Sequence, residues 1–185
     1  MPFNVIDFFC GCGGTSAGLR AAGMNIVAGI DFDSKAIETY KLNFPEAMPL
    51  QRDVRSISEG DIEQLLESCR ATGPLVFSAC APCQPFSAQN RYKSADDQRV
   101  CLLDELHRFV KKFLPDYILL ENVPGMQKVL DGPFPKFLSL LTSLGYQSSF
   151  GVLNAVDYGV PQNRRRLVLL AARGHGISLP KAEYG

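Results

Sequence analysis

Apolar residues follow two rhythms along this chain. Runs such as 4–9 (NVIDFF), 25–30 (NIVAGI), 74–79 (PLVFSA) and 116–122 (DYILLEN) are nearly continuous in apolar character, the pattern of buried strands. Between them, apolar residues recur three or four apart. In 33–44, Ala36, Ile37, Tyr40 and Phe44 share one helical face, and Pro45 stops the run. Residues 15–23 (TSAGLRAAG) predict a helix capped by Thr15 and stopped by Gly23. Residues 58–71 predict one capped by Ser58. Longer amphipathic stretches at 99–113 and 134–145 predict two more, a short segment at 49–52 leads to Asp53, and 146–159 and 165–172 predict the last strands. Alternation of this kind builds right-handed strand–helix–strand units. The expected fold class is therefore α/β, a Rossmann-like doubly wound and mostly parallel sheet in one domain, 1–185.

Composition narrows the class. With 46% hydrophobic and 21% charged residues in 185, the chain has the make-up of a soluble globular domain with a sizeable core. Its longest apolar runs fall well short of a membrane span. The opening MPFNVIDFF has neither a basic n-region nor a cleavage site, so an intracellular, cytoplasmic protein without membrane partners is expected. Six cysteines in such a protein are expected as thiols, ligands or nucleophiles. Nineteen basic and nineteen acidic residues cancel, which gives a nucleic-acid binder little support in bulk. From Pro161 onward, however, Arg164, Arg165, Arg166, Arg173 and Lys181 face only Glu183.

Ligands in such folds bind beyond the carboxyl ends of the strands. Every unusual residue falls there. The first strand runs into Phe9 and the glycine loop CGCGG, with Gly11 and Gly13. The second ends at Asp31, the fourth at Cys80 and Cys83, the fifth at Glu121. The loop is not a full G-x-G-x-x-G fingerprint, because Ser16 holds the third glycine position. Asp31 nonetheless lies about 20 residues on, where a strand-end carboxylate grips ribose hydroxyls. Loop and carboxylate together favour a nucleoside-bearing cofactor and leave nicotinamide and S-adenosylmethionine both open.

The stretch FSACAPCQPFSAQN allows three readings. A redox C-x-x-C pair should open a helix, whereas Pro85 and a polar run follow here. Cys10, Cys12, Cys80 and Cys83 could supply four thiolates to zinc, yet C-x-C is tight for a structural site. The third reading makes Cys83 a nucleophile, stiffened by Pro82 and Pro85 and followed by a long polar loop to about Gln98 that could act as a lid.

Four motifs in order, DFFCGCGG (7–14), PCQPFS (82–87), ENV (121–123) and QNRRR (162–166), with NAVDYGVPQ (154–162) between the last two, resemble those of the DNA cytosine-5 methyltransferases. The resemblance implies the fold of S-adenosylmethionine-dependent methyltransferases and methyl transfer to C5 of cytosine in double-stranded DNA, as in restriction–modification systems. Cys83 matches the thiol that adds to C6. Glu121 matches the acid at ring nitrogen N3, a role that asks for a proton held by burial. Arg166 matches the contact to the cytosine O2, and Arg164 lies nearer the cysteine loop. Phe9, Gly11 and Gly13 match the cofactor cleft, Asp31 the ribose ligand, and Phe32 a stacking partner for adenine. Asp53 and Val54 match its edge contacts. Gln84, Ser87, Arg91 and Arg99, with Lys93, match a loop that closes on a flipped-out base and its phosphates.

Family members continue past the arginine motif into a target-recognition region and a final conserved segment. The resemblance therefore implies a catalytic core without its DNA reader, weak or inactive alone, with a possible second subunit supplying recognition. The same motifs would also serve an RNA (tRNA) cytosine-5 methyltransferase. From a different class, an NAD- or zinc-binding regulatory module stays open on the residues alone.

Overall fold

The computed structural model describes residues 1–67, 72–82 and 102–184. Seven strands form a mixed sheet with helices: β1 (Asn4–Phe8), α1 (Gly14–Ala21), β2 (Asn25–Asp31), α2 (Ser34–Asn43), β3 (Met48–Gln51), α3 (Glu59–Glu67), β4 (Leu75–Ala79), α4 (Leu102–Phe113), β5 (Tyr117–Asn122), α5 (Pro133–Ser143), β6 (Tyr146–Asn154) and β7 (Arg165–Arg173). They pack as two compact units, Met1–Cys80 with Lys112–Ile118, and Ala81–Lys111 with Leu119–Gly185. Among the described residues no helix is long and apolar enough to cross a membrane.

In the first unit, β1 lies between β2 and β4, β3 lies outside β2, and every pair is parallel. The five residues of β1 and of β4 are all buried, which is why both segments read as continuous apolar runs. Val5, Ile26, Ile37, Tyr40, Phe44 and Val76 form a core, with Phe3, Leu19, Met24 and Tyr117 packed against it. Asp33 caps α2 through a bond from the Ala36 amide. Ser58 and Asp61 exchange bonds at the start of α3, since Ser58 Oγ accepts from the Asp61 amide while Asp61 Oδ2 accepts from the Ser58 amide.

Thr15 does not cap α1. The residue at the cap is Gly13, with φ 94°, and no side chain bonds the free amides. Thr15 sits inside the first turn, and its hydroxyl lies 3.2 Å from Cys80 Sγ instead.

In the second unit β6 and β7 pair antiparallel, from Tyr146↔Arg173 to Asn154↔Arg165. The sheet is thus mixed. The link between them, residues 155–164, opens on a turn, Ala155–Tyr158, closed by Gly159, and is too short for a helical crossover, so it returns the chain antiparallel. Phe134 packs edge-on against Phe150, and Phe137 stacks on His107.

Candidate functional site

The first unit brings the cofactor residues to neighbouring strand ends. Register pairs Phe8 with Ile30, Ile30 with Leu50, and Asp31 with Gln51. Phe9, Asp31 and Asp53 therefore emerge side by side. The turn after β1 is tight enough to hold Phe9 at φ 59°, a region costly for an aromatic residue. Gly13 follows in the left-handed region, and a Cβ there would meet the Phe44 ring. Only glycine fits that site.

Asp31 locks this loop. Its Oδ2 accepts from the Gly11 amide at 2.9 Å and its Oδ1 from the Asp33 amide at 3.0 Å. Each oxygen keeps a lone pair, so a partly exposed carboxylate held by two amides can still accept from hydroxyls. Phe32 beside it is 68% exposed, an unused aromatic face. The Asp53 carboxylate accepts from the amide and guanidinium of Arg55, which hold it below the usual carboxylate range, while Val54 is buried. These groups suit a nucleoside with a free ribose diol and an adenine ring. Cys10 is buried, and burial pushes its thiol well up, so it is a poor nucleophile.

Beneath the loop lies a group that motif reading misses. Asp7 on β1 is fully buried, in register with Gly29 of β2 and Ser78 of β4. Its Oδ2 accepts from Ser16 Oγ at 2.6 Å, and Ser16 Oγ lies 3.0 Å from Tyr40 Oη. Ser16 has one hydroxyl proton and gives it to Asp7, so Tyr40 donates to Ser16. Tyr40 reaches this place only because Gly29 has no side chain; a Cβ there would collide with its ring. Burial pushes the Asp7 carboxyl up to about 6, against the lowering effect of the Ser16 and Ser78 hydroxyls. Asp7 Oδ1 and Ser78 Oγ are both buried without a well-formed hydrogen bond, although the Ser78 hydroxyl still steadies the charged carboxylate. The available signal was an acid inside an apolar run.

The second unit brings together the acid and the arginines. Glu121 Oε1 lies 2.8 Å from Arg166 Nε and 3.9 Å from Arg164 Nη2. Arg165 between them is exposed, as is Arg164, while Arg166 is partly buried. Register with β6 and the bond from the Ala155 amide to the Arg164 carbonyl fix the three arginines at the start of β7. The Glu121 side chain is 30% exposed and ion-paired, so the burial expected for it is not found. Next to it, Asn122 is buried, donating to the Ala81 carbonyl at 3.1 Å and accepting from the Val123 amide. It pins the backbone one residue before Pro82, a role the motif alone did not reveal. Cys83, Gln84, Ser87, Arg91 and Arg99 lie outside the described residues, and with Cys83 goes the test of the four-thiolate reading. Among the described residues no group of acids, histidines and cysteines is arranged for a metal.

A glycine turn and a strand-end carboxylate on adjacent parallel strands mark an α/β protein of the Rossmann-like class. The particular branch follows from comparison: the C-5 cytosine-specific DNA methylase family model matches residues 3–182, and the chain belongs to that family. It is 38% identical over 174 residues to the Type II methylase M.HgiDII of Herpetosiphon aurantiacus, covering 91% of this chain and 47% of that protein. It is 35% identical to the Type II methyltransferase M.XorII of Xanthomonas oryzae pv. oryzae, with 95% and 41% covered. A solved structure of a prophage-encoded DNA modification methyltransferase from E. coli superposes with TM-score 0.78 at 32% identity, over 92% of this chain and 47% of that one. The chain thus spans less than half the length of these relatives.

Proposed function

We propose that this chain carries the cofactor-binding and catalytic core of a DNA cytosine-5 methyltransferase working in the cytoplasm. The observation that carries the proposal is the clasp of Glu121 by Arg166 at the end of β5, within a chain matched by the family over residues 3–182. Asp31 would hold the ribose, Phe32 would stack on adenine, and Gly11 and Gly13 would let the backbone approach the ligand, with Phe9, Asp53 and Val54 around it. When bound, S-adenosylmethionine supplies an electrophilic methyl group.

The chain's own residues would do the rest. The thiolate of Cys83 adds to C6 of a flipped-out cytosine, which makes C5 electron-rich. Negative charge grows at N3 and O2, where Glu121 and Arg166 engage the ring. Because Glu121 is paired rather than buried, the entering base must share or replace its bond to Arg166, and the carboxylate must take up a proton from water before it can give one to N3. After methylation a base takes the C5 proton, the C6–S bond breaks and Cys83 leaves as thiolate. Gln84, Ser87, Arg91 and Arg99 would line the loop over the base and its phosphates. Residues 1–185 assayed by themselves are expected to methylate DNA weakly, since they span less than half the length of the relatives they match.

Covalent capture tests the proposal. Duplex DNA carrying 5-fluorocytosine, incubated with cofactor, should become attached to the chain and remain free with Cys83→Ala. Capture on tRNA instead of DNA would redirect the substrate. An adduct that survives Cys83→Ala would overturn the role of the thiol.

A further inference from the structure

The glycine loop rests on a charge that the proposed chemistry does not use. Asp7 lies in the strand directly before the loop, fully buried, and is tied by Ser16 to the first turn of α1 and through Tyr40 to α2. The two elements that carry the turn between them are thus fixed to one carboxylate. The same group has an oxygen without a well-formed hydrogen bond, as has the Ser78 hydroxyl that helps to steady its charge, although both are buried. Hydroxyls that only bridged strands and helices would serve as well without a charge. An aspartate there keeps a negative potential under the loop at the cost of desolvation. Its field reaches the loop, since Asp7 and Asp31 raise one another's neighbour Cys10 and Asp31 raises Asp7.

We propose that Asp7 is a buried positioning charge that makes the cofactor half prefer a cationic sulfonium ligand to its neutral thioether product. The proposal rests on the cofactor reading above and deepens it. S-adenosylmethionine and S-adenosylhomocysteine share adenosine and amino-acid groups and differ by one methyl and one positive charge. Asp31, Phe32 and the glycine loop meet what the two have in common. Asp7 tells them apart, by the field it adds under the loop. The ionisable or polar groups around it are Ser16 of α1, Tyr40 of α2, Asp31 of β2, Ser78 of β4 and Cys10 of the loop. With the carboxyl pushed up to about 6, it carries its charge at pH 7.5 and loses most of it by pH 5.

Calorimetry with the full chain tests this, using S-adenosylmethionine and S-adenosylhomocysteine at several pH values between 5 and 7.5. The ratio of their affinities should favour the sulfonium about fivefold more at pH 7.5 than at pH 5, the change expected if the bound cation lowers the Asp7 carboxyl by one unit. Asp7→Asn keeps the shape and the bond from Ser16, and should show a ratio that does not change with pH. Ser16→Ala removes a bond that favours the charged form, so the midpoint of the wild-type curve should move to higher pH, a shift that a purely structural role would not produce. A wild-type ratio flat with pH, or an unmoved midpoint in Ser16→Ala, overturns the proposal while the cofactor reading stands. Failure to bind either ligand overturns both.

Discussion

Replacing Asp7 by asparagine should stabilise the first unit, and more so as pH rises. Asp7 moves from the ordinary 3.8 to about 6 on folding because burial disfavours its charge. The native state therefore holds a proton that the unfolded chain has already released between those two values. Where the native state binds more protons, stability falls as pH rises. A gap of about two units corresponds to a cost of roughly 3 kcal/mol once the pH is above both values. Between pH 5 and pH 7.5 the share still to be lost is about 1.4 kcal/mol by the same linkage. Asparagine removes the titration. Its oxygen can still accept from Ser16, and its amide can donate toward the Ser78 hydroxyl, which now makes no well-formed hydrogen bond. Urea unfolding of both proteins at pH 5 and pH 7.5 should show the advantage of Asp7→Asn growing by about 1.4 kcal/mol, all other titrations cancelling in the difference. An advantage that stays constant, or shrinks, would show that Asp7 is not held protonated by burial.

The remaining predictions concern packing and the two site units. Gly29→Ala should cost about 1–3 kcal/mol in the same unfolding assay, because its Cβ would drive into the Tyr40 ring and break the bond to Ser16. Arg166→Ala should change stability by less than about 1 kcal/mol, since the Glu121 pair is partly exposed, yet slow covalent capture of 5-fluorocytosine DNA by about a hundredfold or more. Asn122→Ala should leave cofactor affinity unchanged and reduce capture, because it frees the Ala81 carbonyl just ahead of the cysteine loop. Calorimetry and gel-shift of the adduct separate those two effects.

The buried parallel strands were legible because burial on both faces leaves little but apolar residues, as in β1 and β4. That Arg164 and Arg166 both approach Glu121 was not legible, since the motif assigned Arg166 to a base and Arg164 to the cysteine loop. Other features had no local signal. Thr15 looks like a cap in sequence, but Gly13 takes the cap two residues earlier, leaving the hydroxyl to Cys80. The antiparallel β6–β7 pair depends on a turn whose Gly159 could equally have ended a helix. Phe9 gives no hint of its positive φ, which its neighbours impose. Tyr40 reads as a core aromatic from its helical spacing, and it is one; its hydroxyl gains a role only because Gly29 lies beneath it in space.

Three carboxylates at or near strand ends show how environment, rather than residue type, separates roles. Asp31 is partly exposed and steadied by two backbone amides, which fix its direction and leave acceptor capacity for a ligand. Asp7, on the neighbouring strand, is steadied by side-chain hydroxyls and shut away from solvent, so it can act on a ligand only through its field and through the helix it holds. Glu121 is met by a guanidinium, a partner that on the proposed function a substrate would have to displace. A pyrimidine offering N3 and O2 presents one site for the carboxyl and one for Arg166, so it can replace their mutual bond with two of its own. On the proposed function, the ion pair would be the resting form of a site whose acid and cation an entering base separates, and the charge developing in the ring would strengthen that exchange as the thiol adds.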